Sequence, residues 1–174
     1  DAIWLEGEHG PLSYGDIQNL TRACDLWGLT SIVRVNRNVQ GLIYRTLDQG
    51  AQGIAMPHVN TRAEALAVVE AAKFHPLGKR GVYLGRQAHA VPDYLIKAND
   101  ESLVVVLIED ILAVENLDEI LEVEHIDVFH VPTGDLAQSM GHLGLPHHPE
   151  VRATRDQAVG RIVAAGRTAG TTVD

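Results

Sequence analysis

The run Ser102-Leu-Val-Val-Val-Leu-Ile-Glu109 has no polar residue between its ends. A strand with one face in water alternates apolar and polar side chains, so an unbroken apolar run reads as a strand covered on both faces. A second run, Ile126-Asp-Val-Phe-His-Val-Pro-Thr-Gly-Asp135, is apolar at Ile126, Val128, Phe129 and Val131 and also ends in a carboxylate. Strands of this kind belong to parallel sheets flanked by helices. A carboxylate at the end of a buried strand loses part of its hydration and needs a hydrogen bond, a cation or a metal. On strands of one parallel barrel, two such groups converge at the C-terminal mouth, where barrels carry chemistry.

Strand and helix signals alternate along the rest of the chain. Ala2-Ile-Trp-Leu-Glu6 reads as a strand, and Ile17, Leu20 and Cys24 recur at helical spacing until Gly28. Ser31-Ile-Val-Arg-Val35 is the next strand, a helix around residues 41–47 ends at Gly50, and Gly53-Ile-Ala-Met-Pro57 is a short strand. Thr61-Arg-Ala-Glu64 is a capping box for a helix over residues 65–74. Residues 77–90 lack periodicity and read as a loop or lid, with a short strand at Gly81-Val-Tyr-Leu84. A short helix over residues 92–98, a helix with Val114, Leu117, Ile120 and Leu121 inward, and a last helix over residues 152–169 complete the pattern.

About six βα units predict part of an α/β (β/α)8 TIM barrel, with residues 1–174 as a single partial domain. No Gly-x-Gly-x-x-Gly turn follows a strand, which disfavours a dinucleotide fold. Such barrels run to about 250 residues. The chain opens inside a strand and closes where another begins, so a longer native protein lacking its first strand and C-terminal part here is expected.

Composition excludes several classes. A net charge of −9 without a basic cluster argues against a nucleic-acid partner. No stretch nears the ~20 apolar residues of a membrane helix, and no export signal is visible, so a cytoplasmic protein is expected. The single cysteine, Cys24, cannot form an internal disulfide and reads as a buried, inert thiol.

The polar residues at strand ends are the candidates for chemistry. They are Glu6, Glu8 and His9, then Arg34 and Asn36, then Pro57 and His58, then Glu109 and Asp110, and finally Asp135. Glu109 and Asp135 could hold a hard divalent cation and leave positions for a bidentate substrate. Arg34 could pair with a substrate carboxylate through its planar fork. Histidine exchanges protons near neutral pH, which suits His9 to general-base work.

Several segments together resemble the HpcH/HpaI aldolase/citrate lyase family. They are Trp4-Leu-Glu-Gly-Glu-His-Gly10, Val33-Arg-Val-Asn36, Gly50-Ala-Gln-Gly-Ile-Ala-Met-Pro-His-Val-Asn-Thr61, Ala71-Ala-Lys-Phe-His-Pro-Leu-Gly-Lys-Arg-Gly81, Ile108-Glu109 with Ala113-Val-Glu-Asn-Leu117, and Gly134-Asp-Leu-Ala-Gln-Ser-Met-Gly141. The resemblance is strongest to metal-dependent 2-oxo acid aldolases and covers nearly the whole chain. It implies Mg²⁺, Mn²⁺ or Co²⁺ on Glu109 and Asp135, with His9 as general base. It implies that Arg34 binds the pyruvate carboxylate, with Thr133 and Gly134 beside the substrate. Asp48 would support His9 across a subunit contact, in a homo-oligomer such as a trimer or hexamer. The partners implied are a pyruvate-like 2-oxo acid and an aldehyde. Two positions depart from the family pattern: Leu107 stands where a Gln is common, and Pro132-Thr-Gly134 replaces a Gly-Pro-Ala type turn.

Plainer roles stand beside these. Glu109 and Asp135 could form structural salt bridges, Arg34 could pair with Glu6 or Glu8, and Asp48 could be an exposed residue of a last helical turn. His58, His89, His130, His142, His147 and His148 match no ligand spacing and read as surface or packing residues. Lys73, Lys79 and Lys97 lie away from strand ends, which discounts a Schiff base. A carbon–carbon lyase acting on a CoA thioester and a non-catalytic homologue are the alternative functions.

Overall fold

The computed structural model describes residues 1–172. Two compact units divide the chain, one formed by Asp1–Met56 with Ala67–Val104 and the other by Pro57–Leu66 with the residues from Val105 onward. In the first unit β1 (Ala2–Glu6), β2 (Thr30–Arg34) and β3 (Gly53–Met56) pair side by side, all parallel. The register sets Glu6 opposite Arg34 and Arg34 opposite Ala55, so the C-terminal ends of β1 and β2 are level. Helices α1 (Tyr14–Leu26) and α2 (Gln40–Asp48) link these strands, and α3 (Arg62–Ala72) follows β3. A 3-10 turn at Arg86–Ala88 precedes α4 (Tyr94–Glu101).

The second unit repeats the scheme. From Val105, β4 (Leu103–Leu107) pairs with β5 (Val128–Val131), and β5 pairs with β6 (Ala169–Thr171), again parallel. Helices α5 (Ile111–Glu115), α6 (Leu117–Leu121), α7 (Thr133–Ser139) and α8 (Pro149–Ala164) run between the strands. Each unit has its own apolar interior: Val33, Ile43, Leu47 and Ile54 in the first, Val106, Ile108, Phe129 and Leu136 in the second, all buried. Side chains of this size contribute about 1.5–3 kcal/mol each on full burial.

Local chemistry explains the boundaries. Ser13 Oγ accepts the Asp16 amide at 3.2 Å and Asp16 Oδ2 accepts the Ser13 amide at 2.9 Å, a reciprocal cap for α1. The capping box expected before α3 is present: Thr61 Oγ1 accepts the Glu64 amide at 3.2 Å, and Glu64 Oε2 accepts the Thr61 amide at 3.0 Å. Cys24 is buried, as expected, with Ile17 and Thr21 on the inward face of α1, whereas Leu20 is exposed.

Other elements differ from the sequence reading. Val82, Tyr83 and Leu84 are exposed and form no strand, because no neighbouring strand supplies ladder bonds to residues 81–84 among the described residues. The helix expected around Leu117 is two, broken at Asn116, whose Nδ2 donates to the Asn60 carbonyl at 2.9 Å. The last helix starts earlier, with Pro149 in its first turn after His148, and stops by Gly166 at φ +72°. The strand expected to begin near the end is β6; Val173 and Asp174 lie outside the described residues.

Candidate functional site

The first unit carries a charged cluster at the ends of β1 and β2. After Glu6 the chain turns so tightly that Glu6 Oε1 accepts the amides of Glu8 at 2.8 Å and His9 at 3.1 Å. Two glycines make this possible. The Gly7 amide donates to the Arg34 carbonyl at 3.0 Å, and a Cβ on Gly7 would stand 2.6 Å from that oxygen. A Cβ on Gly10 would stand 2.4 Å from the Glu6 carbonyl oxygen. Within this turn Arg34 Nη1 lies 3.6 Å from Glu6 Oε2, and Arg34 Nη2 pairs closely with Glu8 Oε2. Arg34 thus has both carboxylates that the sequence offered as partners.

Electrostatics in the cluster follow from these contacts. Burial pushes the Glu6 carboxyl up, but the amides of His9 and Glu8, the Trp4 indole and the Arg34 charge outweigh it and hold the group below its ordinary range. His9 is the exposed member, with 69% of its side chain open to solvent and its Nε2 3.5 Å from Glu8 Oε2. A cavity of about 280 Å³ beside the cluster is lined by Gly7, Leu12, Tyr14, Val33, Arg34 and Asn36. It offers one cationic wall and otherwise mainly apolar ones.

Asp48, at the end of α2, is not an exposed terminal residue. Its Oδ1 accepts from Arg80 Nη2 at 2.9 Å, and only 11% of its side chain is exposed. Lys73 is buried as well, donating to the carbonyls of Asn99 at 2.7 Å and Ser102 at 2.5 Å. Those carbonyls belong to the C-terminal turn and cap of α4, where a cation is favoured, so Lys73 has a structural partner set and no nucleophile's surroundings.

The second unit carries the two carboxylates. Glu109 follows β4 and is fully buried, and its Oε1 accepts the His58 amide at 2.9 Å. His58 sits in the left-handed region at φ +52°, a conformation uncommon for a residue with a Cβ. Its Nδ1 lies 2.9 Å from Asp110 Oδ2 and 3.7 Å from Glu109 Oε1. Asp135 is half-buried in the first turn of α7, which starts after Pro132, so it is a helical residue and not the tip of a strand. Thr133 is buried and Gly134 exposed in the same turn, with open space around Gly134. Leu107 is a buried core residue of β4. Carboxylate oxygens are donors of the kind hard divalent cations take.

A family model for HpcH/HpaI aldolase/citrate lyase matches residues 1–174. The chain belongs to that family. A relative named 2-keto-3-deoxy-L-rhamnonate aldolase, from Klebsiella pneumoniae subsp. pneumoniae, is 35% identical over 174 residues, covering 98% of this chain and 65% of the relative. The chain spans about 65% of the length of the curated relatives it matches. An HpcH/HpaI aldolase/citrate lyase family protein from Burkholderia cenocepacia J2315 superposes with a TM-score of 0.92 at 30% identity, covering 98% of this chain and 70% of that one. An HpcH/HpaI aldolase from Desulfitobacterium hafniense DCB-2 superposes with a TM-score of 0.93 at 27% identity, covering 100% and 70%. The α/β fold of barrel type read from the sequence is the fold of this family.

Within this family member the structure adds partnerships that the sequence did not show. His58 and Asp110 stand at strand ends in the sequence, yet only the left-handed turn at His58 shows that its amide serves Glu109. Arg80 lies in a segment without periodicity, so nothing in the sequence pointed to its partnership with Asp48. Among the described residues no helix is long and apolar enough to cross a membrane.

Proposed function

We propose that this chain carries the working residues of a divalent-metal-dependent 2-oxo acid aldolase. It would cleave a 2-keto-3-deoxy sugar acid between C3 and C4 into a pyruvate-type acid and a hydroxyaldehyde, or run the reverse addition. The observation that carries this reading is Glu109, a wholly buried carboxylate held by the His58 amide at 2.9 Å. An ionised carboxylate in that position is costly unless a cation shares it. The names of the relatives, 2-keto-3-deoxy-L-rhamnonate aldolase among them, support the substrate class.

In this reading Glu109 and Asp135 hold Mg²⁺, Mn²⁺ or Co²⁺, which when bound polarises the keto oxygen of the substrate. Arg34 binds the substrate carboxylate, and its pairing with Glu6 and Glu8 keeps the planar fork from rotating away. Thr133 and Gly134 lie against the same acid. His9, exposed enough to reach substrate or a bridging water, takes the proton of the C4 hydroxyl as the C3–C4 bond breaks. The bond's electrons pass to C3 as an enolate, and a proton returned to C3 completes the acid product. The same reading expects a cytoplasmic homo-oligomer in which Asp48 supports His9 of a neighbouring subunit.

Exchange of the C3 protons of pyruvate with solvent, followed by NMR, tests the reading without any aldehyde. It is measured in EDTA, then with Mn²⁺ or Mg²⁺, for the wild type and His9→Ala. Exchange that requires both the metal and His9 supports the aldolase. No exchange with metal bound overturns pyruvate as substrate, and failure to bind metal overturns the reading in favour of a non-catalytic homologue.

A further inference from the structure

The fold gathers two histidines and a glutamate whose sequence spacing matches no ligand pattern. After α7, one turn is closed by the Leu145 amide on the His142 carbonyl at 2.9 Å, and the next by the His148 amide on the Leu145 carbonyl at 3.0 Å. Gly141 and Gly144, at φ +83° and +75°, supply left-handed bends that other residues resist. These turns carry the chain back on itself, so the rings of His142 and His148 stack with centroids 3.7 Å apart and planes 17° from parallel. Pro149 then opens α8, which sets Glu150 in its first turn with Oε2 2.8 Å from His142 Nε2. One ligand atom from each of the three residues lies within 4.8 Å of the other two.

We propose that His142, His148 and Glu150 form a second metal site, specific for a zinc-like transition ion and separate from the Glu109 and Asp135 pair. Two imidazole nitrogens and one carboxylate oxygen suit Zn²⁺, whereas Mg²⁺ prefers oxygen donors and retained waters in an octahedron. Three protein ligands leave a fourth tetrahedral position for water. Bonds of about 2.0–2.2 Å place tetrahedral ligand atoms about 3.4 Å apart. The spread is at most 4.8 Å, so the widest pair closes by at most about 1.4 Å. Glu150 Oε2 already lies 2.8 Å from His142 Nε2, and because imidazole lone pairs lie in the ring plane, the two stacked rings turn out of their stack as they close on the ion.

Two further features oppose the ion and neither prevents it. The N-terminus of α8 carries partial positive charge, which the Glu150 carboxylate offsets. The Glu150 amide lies 3.4 Å from His148 Nδ1, a contact at the far end of hydrogen-bond range, so its loss to a ligating or re-tautomerised ring costs little. Bound there, the ion cross-links the turn over residues 141–148 to the first turn of α8. The inference rests on no part of the aldolase reading.

Calorimetric titration of the tag-free full chain with ZnCl₂ in saturating MgCl₂ tests it. The excess magnesium competes for oxygen-only sites, the proposed Glu109 and Asp135 pair included, and leaves imidazole sites to zinc. The expected result is zinc uptake that weakens at least about tenfold in His142→Ala and in Glu150→Gln, since even outer-shell losses cost that much. The same uptake persists in Asp135→Asn. Because zinc can also be followed through the ring carbon resonances of His142 and His148, a shift of both on addition of ZnCl₂ is the second expected result. Zinc uptake unchanged in His142→Ala, or lost only in Asp135→Asn, overturns the proposal, as does a zinc titration that leaves both rings unshifted.

Discussion

The Arg80 guanidinium donates to Asp48 Oδ1 at 2.9 Å while lying 4.6 Å from the centroid of the Phe74 ring, with only 1% of its side chain exposed. Removing one member of such a pair strands the other charge in a poorly solvated place. Asp48→Ala is therefore expected to lose about 3–5 kcal/mol of stability in urea denaturation. Adding Arg80→Met should restore most of it. If Asp48 also supports a neighbour's His9, the double variant regains stability while its pyruvate exchange stays slow. Recovery of both together would remove Asp48 from the proposed machinery.

Glu109→Gln keeps the shape of the side chain and an acceptor for the His58 amide, so the fold should survive. Its affinity for Mn²⁺ is expected to fall by roughly 100-fold or more, beyond the 10–100-fold typical of outer-shell losses. Titration calorimetry reads this directly, and unaltered affinity would remove Glu109 from the metal set.

Arg34→Lys replaces a fork that meets two carboxylates with a point charge. The expected outcome is a KM for the 2-oxo acid raised about tenfold, equivalent to about 1.4 kcal/mol, with a smaller change in kcat. Steady-state kinetics separate the two constants, and a change confined to kcat would contradict a binding role.

Gly10→Ala drives a Cβ to within 2.4 Å of a backbone oxygen, so the turn that presents His9 must open. A loss of about 1–3 kcal/mol is expected. Gly134→Ala meets nothing within 4 Å and provides the control, with stability unchanged or slightly higher in its helix. Thermal denaturation of the two variants side by side decides the comparison.

Glu6 gives a pH signature. Burial raises its carboxyl and the His9 and Glu8 amides, the Trp4 indole and Arg34 lower it by more, so the folded group titrates below its ordinary 4.5. A carboxyl depressed in the folded state adds stability above its unfolded pKa and loses it as pH falls through the folded one. Wild type should thus exceed Glu6→Gln in stability near neutral pH, with the gap closing as pH drops below about 4.5. Denaturant titrations at stepped pH measure the gap, and one that stays constant would show that Glu6 acts through shape alone.

The strands were legible because burial on both faces leaves an unbroken apolar run, as in Leu103–Leu107, and Glu109 at its end was legible with them. The capping box at Thr61 and Glu64 was legible because its chemistry is local. What escaped were features set by backbone conformation or by distant partners. Pro132-Thr-Gly134 reads as a turn, yet it launches α7 and takes Asp135 with it. His58 was visible as a strand-end residue, but its service to Glu109 depends on a positive φ that histidine seldom adopts. Arg80 has no local signature at all, since its partner Asp48 lies 32 positions away.

Lys73 donates from a buried berth to two carbonyls near the end of α4, whereas Lys79 and Lys97 stand in solvent. The consequence is chemical camouflage. An amine-seeking reagent such as acetic anhydride meets only two lysines on the folded chain, and the third enters its inventory only when the berth opens. Labelling at Lys73 therefore works as a clock for local unfolding around α3 and α4, one that needs no engineered probe.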